Sequence, residues 1–236
     1  MVDAVNSGDF IEFDFVGRIK ISGQIFDLSV KEIAEKEKIH DHEHNLNSQA
    51  SSRNGKRQGV FHKYEPMKAI LGAGMLIPGL ERQMISSEVG KEYNFEITPE
   101  EAYGPRDPKL IQLTNLNKFK EFRPVQGMQV NVDGMMATVR SVSGGRVTLD
   151  FNHPLAGKAL SYWVKINRKI TDTNEKIKIV LGLSKIEAKE VKEGEKEITI
   201  TGENFDKLDK NASKVLAEHI KKMIPEIKKE IVFAKA

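Results

Sequence analysis

Apolar side chains recur at every second residue in three separate stretches of this chain, so much of its core has to be built from strands. In the first stretch Ile11, Phe13, Phe15, Ile19 and Ile21 share one parity, and Glu12, Asp14, Arg18 and Lys20 hold the other. That is the period of a half-buried strand pair. Gly17 interrupts it, which marks a bulge or a close approach of another group. Ser22-Gly23 turns the chain into Ile25-Phe26-Asp27. Ser29 followed by Glu32 has capping-box spacing and predicts a short helix to about residue 39. Met67 to Leu71 reads as a strand. Pro78 suits a first helical position and opens a helix through Leu80 and Met84. Tyr93, Phe95 and Ile97 form the second alternating stretch.

The third stretch is a meander. Met128, Val130 and Val132 lead to an Asp133-Gly134 turn, and Met135 to Val142 lead to Ser143-Gly144-Gly145. Val147, Leu149 and Phe151 complete it, and Asp-Gly between apolar alternations signals a hairpin. Ahead of it, Leu110, Ile111, Leu113, Leu116, Phe119 and Phe122 are scattered through a polar segment. Leu160 to Ile166 is one more strand. If it returns to the first sheet, residues 105–150 are an insertion within a domain.

From about Thr171 the pattern changes again. Ile177 to Leu183 and Ile198 to Thr201 read as strands. Leu208, Ala212, Val215, Leu216, Ile220 and Met223 fall on one helical face, capped by Asp206 or Asp209 and closed by Pro225. Ile231-Val232-Phe233 is a last strand. These pieces make a small α/β module.

A chain of 236 residues has room for two or three such units. Its 37 basic and 34 acidic side chains leave a net charge of +3, which makes no electrostatic case for nucleic acid. The chain has no cysteine, so disulfides, thiolate metal sites and cysteine nucleophiles are excluded. No apolar run is long enough to cross a membrane, and Met1-Val2-Asp3-Ala4 lacks the layout of a secretory signal. The expected location is cytoplasmic.

Gly74-Met75-Leu76-Ile77-Pro78-Gly79-Leu80-Glu81 resembles the FKBP-type peptidyl-prolyl cis–trans isomerases. Phe15-Val16-Gly17, Ile25-Phe26-Asp27 and Ala102-Tyr103-Gly104 occur in the family's order. Asn152-His153-Pro154-Leu155-Ala156-Gly157-Lys158-Ala159-Leu160 matches the SlyD-like branch, which carries an inserted flap domain in the interval where the composition shifts here. With its extra tail the chain resembles the long archaeal type. The resemblance implies an α+β fold: an FKBP-like antiparallel twisted sheet around a short helix, an inserted β-rich flap domain and a C-terminal α/β module. It implies a discontinuous isomerase domain over residues 1–104 and 151–170, an insert over 105–150, and a C-terminal domain over 171–236.

The activity so implied makes and breaks no covalent bond. Twisting an X-Pro amide costs resonance, about 18–20 kcal/mol. Water solvates the planar dipolar amide better than the twisted one, so an apolar pocket favours the twisted state. Lowering the barrier by about 4 kcal/mol gives a thousandfold gain in rate. No cofactor or metal is needed. By resemblance the pocket is walled by Phe15, Phe26, Met67, Leu76, Ile77, Leu80 and Tyr162, with His153 as a further contact. Asp27 stands at its edge, and Tyr103 donates a hydrogen bond to the substrate carbonyl, making these two the catalytic candidates. Leu80 stands where the best-known eukaryotic relatives carry Trp, Phe15 replaces a Tyr and Met67 replaces an aromatic, which implies a looser pocket.

In the SlyD-like branch the insert binds unfolded chains, and adaptable Met-bearing apolar surface suits that use. The expected partners are unfolded or partly folded proteins with X-Pro bonds, together with a second copy of the chain through the C-terminal domain. Neither nucleic acid nor membrane is expected. Two other readings stand beside this one. The first is a pure binding chaperone with a vestigial pocket. The second is a metal-delivery protein using His40, His42 and His44, which alternate and would face one way on a strand.

Overall fold

The computed structural model describes residues 3–37, 64–184, 186–203, 205 and 209–235. Alternation gives β1 (Phe10–Ile19) and β2 (Ile25–Leu28), paired antiparallel with a register shift between Gly17 and Arg18. The core face of β1 is Ile11, Phe13, Phe15 and Ile19. Ile21, expected on that face, is 93 % exposed, because the chain has already entered the turn. Phe10 and Val16, on the other parity, are buried as well. β1 is therefore covered on both faces for part of its length, which an alternation pattern alone does not reveal.

The capping box does not form. Helix α1 (Lys31–Lys36) starts after Val30 with no side-chain cap. The buried Ser29 hydroxyl donates to Asp14 Oδ1 at 2.7 Å and accepts the Phe15 N–H at 2.9 Å. The Ser29 N–H in turn reaches the Phe15 carbonyl at 3.0 Å. A short hydroxyl bonds whichever backbone is near, and here the sheet wins over the helix. Residues 38 and 39 of the expected helix lie outside the described residues.

β3 (Met67–Ile70) pairs with the first half of β1. Helix α2 (Pro78–Met84) begins at its proline and buries Gly79, Leu80 and Met84. β4 (Glu92–Ile97) follows. The next strands, β5 (Ile111–Asn115), β6 (Gln129–Val132), β7 (Met135–Ser143) and β8 (Arg146–Asp150), form a separate four-stranded sheet in the order β5-β8-β7-β6. The Asp133-Gly134 turn lies where the dipeptide places it, with both residues at positive φ. β5 was not legible as a strand. It is a five-residue edge strand with Leu113 facing solvent, and the alternation of Ile111 and Leu113 is too short to stand out from the polar segment around it. This sheet has its own small core of Val130, Ala137, Val139, Val147 and Leu149.

β9 (Leu160–Lys169) returns to the first sheet between β1 and β4, antiparallel to both. The segment from 98 to 159 therefore leaves and re-enters one sheet. Gly17 and Phe95 both face Tyr162 across their strands, so those three positions share one face.

The tail corrects one strand. Ile177 to Leu183 lies in helix α3 (Thr173–Leu183), whose buried residues are Ile177, Val180 and Leu181. Their spacing of three and one is helical. The β-branched Ile177, Ile179 and Val180 mimic a strand, while the Asp172 carboxylate caps the helix by accepting the Glu175 N–H at 2.7 Å. β10 (Glu190–Glu193) and β11 (Glu197–Gly202) form a hairpin, and β12 (Glu230–Lys235) runs parallel to β11 after helix α4 (Lys210–Met223). Asp209 caps α4, accepting from the Ala212 N–H. Leu216, Ile220 and, just past its end, Ile224 are buried, but Val215 is 65 % exposed. The buried stripe is thus narrower than the sequence pattern. Leu208 and Asp206 lie outside the described residues.

The tail packs on the first sheet. Phe10, Ile70 and Ile170 join α3, α4 and the β11 face in one apolar cluster. Around it Arg168 bridges Glu12 and Glu175, and Lys68 reaches Glu175 at 2.7 Å. The Arg168 and Lys68 cations lower the Glu175 carboxyl to about 2. Its stabilising effect is therefore present above the ordinary carboxylate range and is lost only as pH falls towards that value.

Candidate functional site

The site is built on the core face of the first sheet. Gly17 makes it possible. A Cβ there would lie 2.6 Å from the Phe26 ring and 3.1 Å from the Tyr162 ring. Both rings occupy the space that a side chain on β1 would otherwise fill. Phe26 meets Tyr162 edge to face with centroids 5.6 Å apart, and Phe15 meets Tyr162 at 6.4 Å. The second of these rings is held by its backbone, since Ser29 pairs with both the N–H and the carbonyl of Phe15.

Phe15, Phe26, Leu80 and Tyr162 are buried and form a floor. Met67, Leu76, Ile77 and Tyr103 pack on the same cluster but are only half-buried, and they form a rim. These eight expected residues therefore come together in one apolar cluster. Leu76 and Ile77 are carried by the chain between Gly72 and α2. Glu81 holds that loop by accepting the N–H groups of Gly72 at 2.8 Å and Gly74 at 3.2 Å. Both glycines have positive φ, which allows the loop its tight curl.

Asp27 follows Phe26 on β2 and is half-buried. Burial pushes the Tyr162 phenol up, and the charges of Tyr103 and Asp27 push it further. Those three polar groups are thus close enough to influence one another. His153 is placed by stacking on Tyr103, with ring centroids 4.1 Å apart and planes within 6°. Burial lowers the imidazole, and its Nδ1 accepts the Leu155 N–H at 3.2 Å. The imidazole thus covers one face of the Tyr103 ring.

Two residues escaped the sequence reading. Phe95 faces Tyr162 from β4 and packs on the same cluster; its parity with Tyr93 and Ile97 was the available signal. Ser29 was misassigned to a helix cap. Among the described residues no three His, Cys, Asp or Glu side chains converge as a metal site. His40, His42 and His44 lie outside the described residues. Among the described residues no helix is long and apolar enough to cross a membrane.

On the four-stranded sheet and the segments that join its strands, Leu110, Leu113, Phe122, Val125, Met135 and Met136 are exposed. So many large apolar groups on so small a unit form an unusual surface for water.

Comparison with known proteins bears on both surfaces. Residues 2–115 match the family model described as FKBP-type peptidyl-prolyl cis-trans isomerase, and residues 109–155 match one described as FKBP26, IF domain. A short-type peptidyl-prolyl cis-trans isomerase of Methanocaldococcus jannaschii is 34 % identical over 168 residues, which is 70 % of this chain and 94 % of the relative. An FKBP-type isomerase SlyD of Helicobacter pylori is 34 % identical over 107 residues, covering 43 % of this chain and 58 % of the relative. An FKBP-type 16 kDa isomerase of Escherichia coli is 30 % identical over 122 residues, covering 49 % and 76 %.

Proposed function

Because this chain belongs to the FKBP-type peptidyl-prolyl cis–trans isomerase family, in its SlyD-like form with an insert-in-flap domain, we propose that it isomerises X-Pro bonds in unfolded proteins and holds those proteins while it does so. The observation that carries this reading is the aromatic floor with a half-exposed rim. A prolyl ring laid on Phe15, Phe26, Leu80 and Tyr162 would lose most of its water. The amide beside it would lose the solvation that favours planarity. Tyr103 and Asp27 stand where a twisted carbonyl or amide could find a polar partner. Tyr103 and Asp27 act as the catalytic pair, and Met67, Leu76, Ile77 and His153 shape the opening.

We assign the isomerase unit to residues 1–104 and 151–170, the client-holding unit to 105–150 and the third unit to 171–236. Exposed Leu113, Phe122, Met135 and Met136 support the second assignment. Flexible thioethers adapt to many apolar sequences. A chain caught there keeps its prolyl bonds at high local concentration near the pocket.

The test is isomerisation of a tetrapeptide with one X-Pro bond. Tyr103→Phe, which removes only the hydroxyl, should lower kcat/KM by about threefold, and Tyr103→Ala by about tenfold, the loss of one positioned contact. Full activity in Tyr103→Ala removes Tyr103 from the site. A wild-type chain that leaves the tetrapeptide at its uncatalysed rate, yet suppresses aggregation of an unfolding client, would be a binding chaperone only.

A further inference from the structure

The chain enters and leaves the four-stranded sheet through two adjacent segments, and the polar groups there are tied in an unusual way. Asp150 ends β8 and its side chain is 1 % exposed. Its Oδ1 accepts the Asn152 N–H at 2.9 Å and the Asn152 amide at 2.8 Å. Its Oδ2 takes the Arg106 guanidinium, with Arg140 Nε 3.9 Å away. Arg106 belongs to the outgoing segment. Arg140 lies on β7 at the register shift between Val139 and Ser141, and such bulges re-aim a side chain. Asn152 then binds the outgoing backbone twice. Its Oδ1 accepts the Asp107 N–H at 2.8 Å, and its Nδ2 donates to the Asp107 carbonyl at 3.0 Å. Burial opposes the Asp150 charge, but hydrogen bonds from Asn152 and Arg106 outweigh it and hold the carboxyl below its ordinary range.

One buried carboxylate and one buried amide therefore join three things: the outgoing segment, the returning segment and the body of the inserted sheet. The knot also adjoins the pocket. Arg106 is three residues after Tyr103, and His153 directly follows Asn152. Those two rings are the stacked pair at the rim.

We propose that Asp150, Asn152 and Arg106 are positioning residues that fix the client-holding sheet relative to the isomerase pocket, so that a captured chain presents its prolyl bonds there. This rests on the isomerase and client-holding readings above. A buried, paired carboxylate is an expensive way to close a loop, since removing one partner leaves the other uncompensated. An apolar junction would keep the fold and let the sheet swing. The polar knot has directional bonds, so it specifies one orientation. If the sheet swings freely, capture and catalysis still occur, but effective concentration falls.

The experiment compares two substrates on the full chain. One is a tetrapeptide with a single X-Pro bond, and the other is an unfolded protein whose refolding waits on one prolyl isomerisation. Arg106→Ala and Asn152→Ala should lower kcat/KM for the protein by about tenfold, through KM, while tetrapeptide kcat/KM changes by less than about twofold. Arg106→Lys, which keeps a cation for Asp150, should restore most of the loss. Equal losses on both substrates would mean that the knot only maintains the pocket, and unchanged activity on both would mean that it positions nothing. Either result overturns the proposal. Should Asn152→Ala fail to fold, the Arg106 pair decides alone, because that side chain is far more exposed than Asp150. Failure of the isomerase reading itself looks different: the wild-type chain would not turn over the tetrapeptide at all.

Discussion

Replacing residues 106–149 with a short turn should leave tetrapeptide isomerisation within about threefold of wild type and lower catalysis of proline-limited protein refolding by about a hundredfold. The floor of the pocket comes from β1, β2, α2 and β9, none of which lies in the deleted stretch. The four-stranded sheet has a separate core of its own, centred on Val139, Val147 and Leu149, so its removal strips no residue from the main one. What the chain loses is the exposed apolar surface around Leu113, Val125, Met135 and Met136. A short peptide never needed that surface, whereas a long unfolded chain would be held by it. Refolding assistance that survives the deletion would show that clients bind elsewhere.

Tyr162→Ala should destabilise the protein by about 3–5 kcal/mol, the range for truncating a large buried aromatic side chain, and should abolish measurable tetrapeptide turnover. Tyr162 lies between Gly17 and Phe95 at the centre of the sheet, and its ring contacts both Phe15 and Phe26. Without it the floor loses its middle, and its neighbours cannot collapse because backbone pairing fixes β1 and β9. A urea midpoint reports the stability. Activity measured well below that midpoint separates lost catalysis from lost folding. A variant that keeps both stability and turnover would place the working surface somewhere else.

Much of this arrangement could be read from residue order, and the limits of that reading are physical. Alternation located β1, β4 and the β6-β7-β8 meander, because each buries one face more than the other. The motifs around Phe26, Leu76, Leu80 and Tyr103 lie far apart in the chain and gather in one apolar cluster. Three readings went astray for distinct reasons. β5 is a five-residue edge strand with Leu113 facing water and no side chain buried, so it presents no apolar core face to read. α3 carries β-branched Ile177, Ile179 and Val180, and tertiary packing overrides their strand preference. Ser29 matched a capping box, but the Phe15 backbone and Asp14 lay closer. The knot at Asp150 and Asn152 could not be foreseen, since it joins residues more than forty positions apart that only the folded chain brings together.

The claim beneath all of this is that the pocket speeds rotation by removing water from a prolyl amide, with no proton transferred. Its most direct test is the isomerisation rate of a tetrapeptide with one X-Pro bond, followed across pH. Burial lowers the His153 imidazole, and its Nδ1 is already occupied by the Leu155 N–H, so the ring is not poised as a general base. The expected result is strong acceleration with a kcat/KM that stays level from about pH 6 to 9, the region in which a general acid or base would show itself. A bell-shaped profile, or a tetrapeptide left at its uncatalysed rate, would contradict the account.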